Sequence, residues 1–257
     1  MEARVHAAAH VDPGAELADD VDVRAGAVIE AGVRVGAGSV INIGTVLHAG
    51  TVVGVGCRVG PYAVIGGDPM DTTFEGEPSG VLLEDGVDVR EFATVHRATG
   101  EGMSTRVGAR TLVMAYVHVS HNDDIGADCV LTNGVQLGGH VEIGDGAVVG
   151  AASLVHQHCR IGRGAMFGAG SGTNRDVLPF TMARGAPARH FRLNRVGLLR
   201  RGVQGERYTA LEQALRAFRR RDRDTVAHLA TLHDDVATME AFAKASRRGV
   251  ARFLAER

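Results

Sequence analysis

The sequence predicts an all-β fold, a parallel β-helix of hexapeptide repeats from residue 11 to about 178, followed by a C-terminal α-helical domain. Three observations carry that expectation: an aliphatic residue at every sixth position, a small residue four places after most of them, and a composition rich in glycine but poor in aromatic bulk. The step of six starts at Val11 and meets Leu17, Val23, Ile29, Val35, Ile41, Leu47, Val53, Val59 and Ile65. After an interruption it passes through Leu83, Val89 and Val95, then resumes at Val107 and continues through Val119, Leu137 and Val155 to Phe167. Amphipathic helices recur at three to four residues and half-buried strands at two, so neither selects every sixth residue.

The small slot holds Ala15, Ala27, Ser39, Thr45, Ala63, Ala147, Ser153 and Ser171, with glycine common between repeats. Such a chain winds as short flat strands joined by tight corners. Aliphatic residues point inward, small residues fit the crowded corner, and glycine accepts left-handed backbone angles. All three cysteines, Cys57, Cys129 and Cys159, fall in this slot and read as core filler, since three thiols make no disulfide framework. Aromatic residues make up only 4% and Trp is absent, so Val, Ile, Leu and Ala must fill the interior. The pattern is similar to that of the hexapeptide-repeat family. That resemblance implies a left-handed coil of three hexapeptides and trimers with active sites between subunits. At about 4.8 Å per layer, about eight coils give a prism roughly 40 Å tall.

Two segments interrupt the repeat. Residues 66–82 are rich in Gly, Pro and charge and are expected to loop out, as are residues 100–106. The first domain is therefore placed at 1–190 and the helical one at 191–257. Within the second, Leu211, Leu215 and Phe218 share one face, Val226, Leu229 and Leu232 another, and Val236, Met239 and Phe242 a third, predicting three or four helices between about 192 and 255. Arg216, Arg219, Arg220, Arg221 and Arg223 read as a solvated helix face. Net charge is −2, which gives no basic field for nucleic acid, and no apolar run suggests a signal peptide or membrane span. A cytoplasmic protein without stable membrane insertion is expected.

Hexads starting at Val119, Leu137 and Val155 lie eighteen residues apart and should stack on one face. They carry His121, His140, and both His156 and His158, with His118 at the corner just before. Layer spacing puts His121 about 5 Å from His140 and roughly 10 Å from His156. Packing does not require such a ladder. A neutral imidazole can take the proton of a hydroxyl attacking a thioester carbonyl, and a backbone N–H can hold the resulting oxyanion. Gly138-Gly139 offers a place where substrate could approach the backbone. His96, His118 and His121 loosely suggest a zinc enzyme of the γ-carbonic anhydrase type, but the spacing is HxxH where HxxxxH is expected.

The strings MAYVHVSHNDDIG, QLGGHVEIG and LVHQHCRIG, with GDPMDTTFEGEP, TVHRAT and LNRVGLLRRG, resemble the UDP-N-acetylglucosamine O-acyltransferases of lipid A biosynthesis over nearly the whole chain. The resemblance implies transfer of a 3-hydroxyacyl group from acyl carrier protein to the sugar 3-hydroxyl, with the thioester as co-substrate and no cofactor or metal. It implies His121 as general base, His118, His140 and His156 as substrate-orienting groups, and Gly139 as the oxyanion N–H. It further implies substrate contacts from Asp71, His96 and Gln157, a nucleotide-binding stretch with Asn194, Arg200 and Arg201, and Ala169 at a position limiting acyl length. A small core residue is an equal reading of Ala169. Three departures stand out: Asn122 where the family carries Asp, Val196 for an acidic residue, and Thr73 for a common Lys. Asp123 sits in the small slot and should point away from the imidazole, and Asn122→Asp is expected to keep or raise turnover. Transfer to a 3-amino UDP-sugar and a non-catalytic sugar-nucleotide-binding homologue are the alternatives.

Overall fold

Every hexapeptide contributes one short strand, such as Val28–Ile29 or Val130–Leu131, and then turns the chain onto the next face of a triangular prism. These strands belong to a computed structural model that describes residues 2–254. They stack into three sheets. The first has eleven strands from Arg4–Val5 to Arg189–Leu193, the second nine from His10–Val11 to Gly172–Thr173, and the third eight from Glu16–Leu17 to Arg160–Ile161. Within the coil, strands pair in parallel with the one a full coil later, so Leu137 lies against Val155 and Ile125 against Ile143. The fold is a left-handed parallel β-helix.

The six-step aliphatic residues form its core: Ile29, Leu47, Val119 and Leu131 are fully buried, and Phe167 is the single aromatic among them in the described residues. Slot residues satisfy the corner backbone from inside. The Ser39 hydroxyl donates to the Gly54 carbonyl (2.8 Å) and accepts from the Cys57 N–H (3.0 Å), and Thr111 does the same with Gly126 and Cys129. The cysteines are buried in the same slots, and burial pushes the Cys129 and Cys159 thiols up to about 11, which keeps them unreactive near neutral pH.

The prism begins one hexapeptide earlier than the repeat suggested, because Arg4–Val5 pairs with Asp22–Val23 and Val5 keeps the step of six. Both loops are shifted or shortened by strand pairing. Strands Val64–Gly67 and Gly80–Leu83 leave 68–79 as the first loop, and Thr94–His96 and Ser104–Val107 leave 97–103 as the second. At the other end, Thr181–Arg184 and Arg189–Leu193 form an antiparallel pair that ends the parallel ladder.

Four helices follow: α1 (Arg195–Arg200), α2 (Glu206–Arg220), α3 (Arg223–Leu232) and α4 (Asp234–Lys244). They close a second core around Leu198, Leu211, Val236 and Met239, which includes Leu178 and Phe180 from the prism end. The basic run is partly structural, since Arg219 donates to the Phe191 carbonyl and Arg216 pairs with Glu212. Arg160 ties α4 to the prism, pairing with Asp176 (3.2 Å), donating to the Phe242 carbonyl (2.6 Å) and lying over its ring.

His190 fastens the C-terminal segment. It accepts from the Leu178 N–H (2.9 Å), donates to the Ala251 carbonyl (3.0 Å) and is completely buried, so it is neutral, and burial lowers its pKa to about 4. The unfolded chain protonates this imidazole near 6.5, so it binds the extra proton between those values. Stability contributed by His190 is therefore present above pH 6.5 and lost as pH falls toward 4. Denaturant midpoints measured from pH 7 to 4 are expected to fall more steeply for the wild type than for His190→Gln.

Candidate active site

The corner joining the second sheet to the third carries two columns of turn residues in coil register. His121, Gly139 and Gln157 occupy its first position, and Asn122, His140 and His158 its second, where φ is 59°, 59° and 60°. Neighbouring turns are pinned by His140 N–H to His121 O and His158 N–H to Gly139 O, each 3.0 Å. The His121 ring lies across Gly139: a Cβ there would stand 2.4 Å from Nε2, so only glycine leaves room for the imidazole. His121 meets the His140 ring edge-on at 5.3 Å, as layer spacing implied, and His140 stacks on His158 at 4.6 Å.

The histidines are thus arranged around a corner rather than on one flat wall. His158, not His156, continues the column. His156 holds Arg248 (3.1 Å) and, with His118, lines a 360 Å³ groove over the second sheet floored by Leu137, Gly138, Leu154 and Val155. His118 is bonded to the Thr94 hydroxyl (2.8 Å) and packs edge-on against His96. Burial, reinforced by the nearby His96 and His121, lowers its pKa to about 4, so it works as a neutral ring.

Asn122 sets the state of His121. Its Oδ1 accepts from the Thr99 N–H (3.0 Å) while Nδ2 donates to the Thr99 carbonyl (2.9 Å), which fixes which end of the amide faces the ring. That Oδ1 lies 3.0 Å from His121 Nδ1, so Nδ1 carries the proton and Nε2 keeps its lone pair. Asn122→Asp would set an oxygen against the Thr99 carbonyl, which argues against the expected gain in turnover. Asp123 turns inward, filling the slot and accepting from the Ser120 and Val141 N–H groups, and burial pushes its carboxyl well above the usual range. Sequence reasoning missed Thr99 and Thr105, whose hydroxyl accepts from the Asn122 N–H (2.9 Å). Thr105 does keep the phase of the small slot, which is the one signal available for it.

The first loop brings Asp71 to the same place, with Oδ2 3.7 Å from His121 Nδ1. Thr73 caps the other oxygen through its N–H (3.0 Å) and hydroxyl (2.9 Å), bonds that hold the carboxyl below its ordinary pKa. His96 bonds the Asp68 carbonyl at the root of this loop (2.5 Å).

Other expected residues lie elsewhere. Arg201 donates to the Gly146 carbonyl (2.7 Å), and Asn194 caps α1 through Gly197 while donating to the Gly164 carbonyl (3.0 Å). Those glycines sit in turns joining the third sheet to the first, a different corner from His121. Arg200 is exposed on α1. Ala169 is exposed at the corner between the first and second sheets, so it is not core filler. Among the described residues no three His, Cys, Asp or Glu side chains converge as a metal site requires. Gly139→Ala is expected to lower turnover at least a hundredfold with an unchanged melting profile, because the methyl displaces the His121 ring from within its packed corner; near-normal turnover would contradict this placement.

Residues 176–251 match the family model for domain 2 of UDP N-acetylglucosamine O-acyltransferase. An acyl-acyl-carrier-protein–UDP-N-acetylglucosamine O-acyltransferase of Burkholderia vietnamiensis is 40% identical over a 260-residue alignment covering 97% of this chain and 99% of the relative. One from Stenotrophomonas maltophilia is 43% identical over 217 residues, 84% of this chain and 82% of the relative. Among solved structures, UDP-N-acetylglucosamine acyltransferase from Campylobacter jejuni superposes with a TM-score of 0.91 at 32% identity, covering 98% of this chain and all of that one. The Francisella novicida enzyme gives 0.93 at 30% identity, covering 96% and 94%.

Proposed function

The chain belongs to the UDP-N-acetylglucosamine O-acyltransferase family, and from that premise we propose that it moves a 3-hydroxyacyl group from acyl carrier protein to the 3-hydroxyl of UDP-N-acetylglucosamine, the first step of lipid A biosynthesis, with His121 as general base. The observation that carries the assignment is the His121 imidazole itself, held with Nδ1 protonated against Asn122 and Nε2 open over Gly139. The sugar hydroxyl gives its proton to Nε2 as its oxygen bonds to the thioester carbonyl carbon. The negative charge on the carbonyl oxygen is met by the Gly139 N–H. The C–S bond then breaks and the imidazolium returns the proton to the departing thiolate. A placed base of this kind contributes roughly 10²–10⁴-fold.

His118, His140, His156, Gln157, His96 and Asp71 surround the acceptor in this reading, and the groove over the second sheet receives acyl carbons, with Ala169 at the corner where that sheet meets the first. The carrier thioester is the co-substrate and no cofactor is called for. Asn194, Arg200 and Arg201 take the nucleotide. Because they sit at a different corner from His121, one complete site draws its base and its nucleotide clamp from two copies, which supports a homotrimer. Among the described residues no helix is long and apolar enough to cross a membrane, and a cytoplasmic location completes the reading.

His121→Ala is expected to abolish transfer, monitored by mass detection of UDP-sugar product, while leaving oligomer size unchanged in gel filtration. Oligomers assembled from His121→Ala and Arg200→Ala chains should regain part of the activity each lacks alone. Undiminished turnover in His121→Ala would falsify the base assignment, and faster transfer to a 3-amino UDP-sugar than to the hydroxyl acceptor would replace the O-acyl reading with an N-acyl one.

A further inference from the structure

A base that accepts a proton becomes a cation, and few groups around His121 carry the opposite charge. The titratable groups facing the ring are His118 from its own coil, His140 from the next, and Asp71 from the loop at 68–79. The two histidines bring no negative charge. The adjacent residue cannot supply it either, since Asn122 is neutral and both ends of its amide are committed to Thr99. Asp123 is turned into the corner slot on two backbone N–H groups.

We propose that Asp71 is the counter-charge of His121: its carboxylate, reaching in from the first loop, stabilises the imidazolium formed during transfer, in addition to any contact it makes with the acceptor. The inference rests on the general-base reading of His121. Its geometry is specific. Oδ2 is 3.7 Å from Nδ1, and the Asp71 side chain is only 19% exposed. Thr73 engages Oδ1, so Oδ2 is the oxygen nearest the ring, and the Thr99 side chain lies beside the same carboxylate. The loop that carries Asp71 is fastened at both ends, by Asp68 to Arg97 (2.6 Å) and by Glu77 to the Gly100 N–H (2.6 Å), and Phe74 lies under the Arg97 guanidinium. Two jobs are thereby divided between two residues. Asn122 fixes the tautomer and Asp71 supplies the charge. The second role makes Asp71 a positioning residue for the base even where it touches no reacting atom.

The test compares Asp71→Asn and Asp71→Glu with the wild type in the full-length protein, using acyl carrier protein thioester and UDP-N-acetylglucosamine. Removing the anion withdraws the negative charge that stabilises the imidazolium. The acidic limb of kcat/KM, which reports the free enzyme, should therefore move to lower pH in Asp71→Asn, with kcat reduced about tenfold to a hundredfold. Asp71→Glu should return the limb toward its wild-type position and recover part of kcat. An NMR titration of the His121 ring in the resting protein should show the same downward shift without requiring turnover. If Asp71→Asn raises only KM for the sugar nucleotide, with kcat, the acidic limb and the ring titration unmoved, Asp71 is a sugar contact alone and the proposal fails. A wild type that transfers no acyl group would instead sink the functional reading, and the ring titration would still decide the pairing.

Discussion

Because a hexapeptide carries the chain across one face of the prism, residues eighteen apart in an uninterrupted stretch share one structural address and differ only by a strand spacing of about 4.8 Å. That register governs everything at the site. It sets Gly139 beneath His121, so the ring finds space, and it aligns Asn122, His140 and His158 in one column. It also explains why insertions are tolerated where they occur. The loops at 68–79 and 97–103 leave and rejoin the prism between paired strands, as with Leu83 against Val107 and Val53, so the coils above and below keep their alignment.

A rigid stack of this kind supplies precision but little polar chemistry, since its interior is aliphatic. The polar groups come from corners and extruded loops, and they are tied to each other before any substrate arrives. Thr99 in the second loop grips Asn122, Asn122 orients His121, and the first loop delivers Asp71 to the same ring. Fixed partners of this sort need no reorganisation when charge develops, which is the condition under which electrostatic stabilisation is most effective. The buried carboxyl of Asp123 belongs to the same economy, because its two backbone acceptor bonds tie the turn that bears His121 to the coil carrying Val141.

How much of this was legible follows from the same physics. The coil was readable because every sixth residue must be apolar, and the His121–Gly139–His140 grouping followed once eighteen residues were taken as one turn. The limits came where periodicity says nothing. His156 and His158 flank a single turn residue, and only backbone direction decides that His158 stacks while His156 turns toward Arg248. The partnership of Asp71 with His121 joins residues fifty positions apart through a non-repeating loop, so no spacing rule could expose it. Val5 was overlooked because a two-residue strand at the chain start shows too little pattern. The helical tail was legible in number from its apolar faces, whereas its attachment through Arg160, His190 and Asn194 depends on side-chain bonds that periodicity does not encode.

The corner presents His121 with Nε2 bare and Nδ1 protonated, and the most direct check is nitrogen NMR of the protein carrying ¹⁵N-labelled histidine, with His121 assigned by its absence in His121→Ala. In the neutral ring, Nε2 should show the signature of an unprotonated nitrogen and Nδ1 that of N–H. The opposite tautomer would mean that the Asn122 oxygen does not hold the ring and that the base is not poised as described.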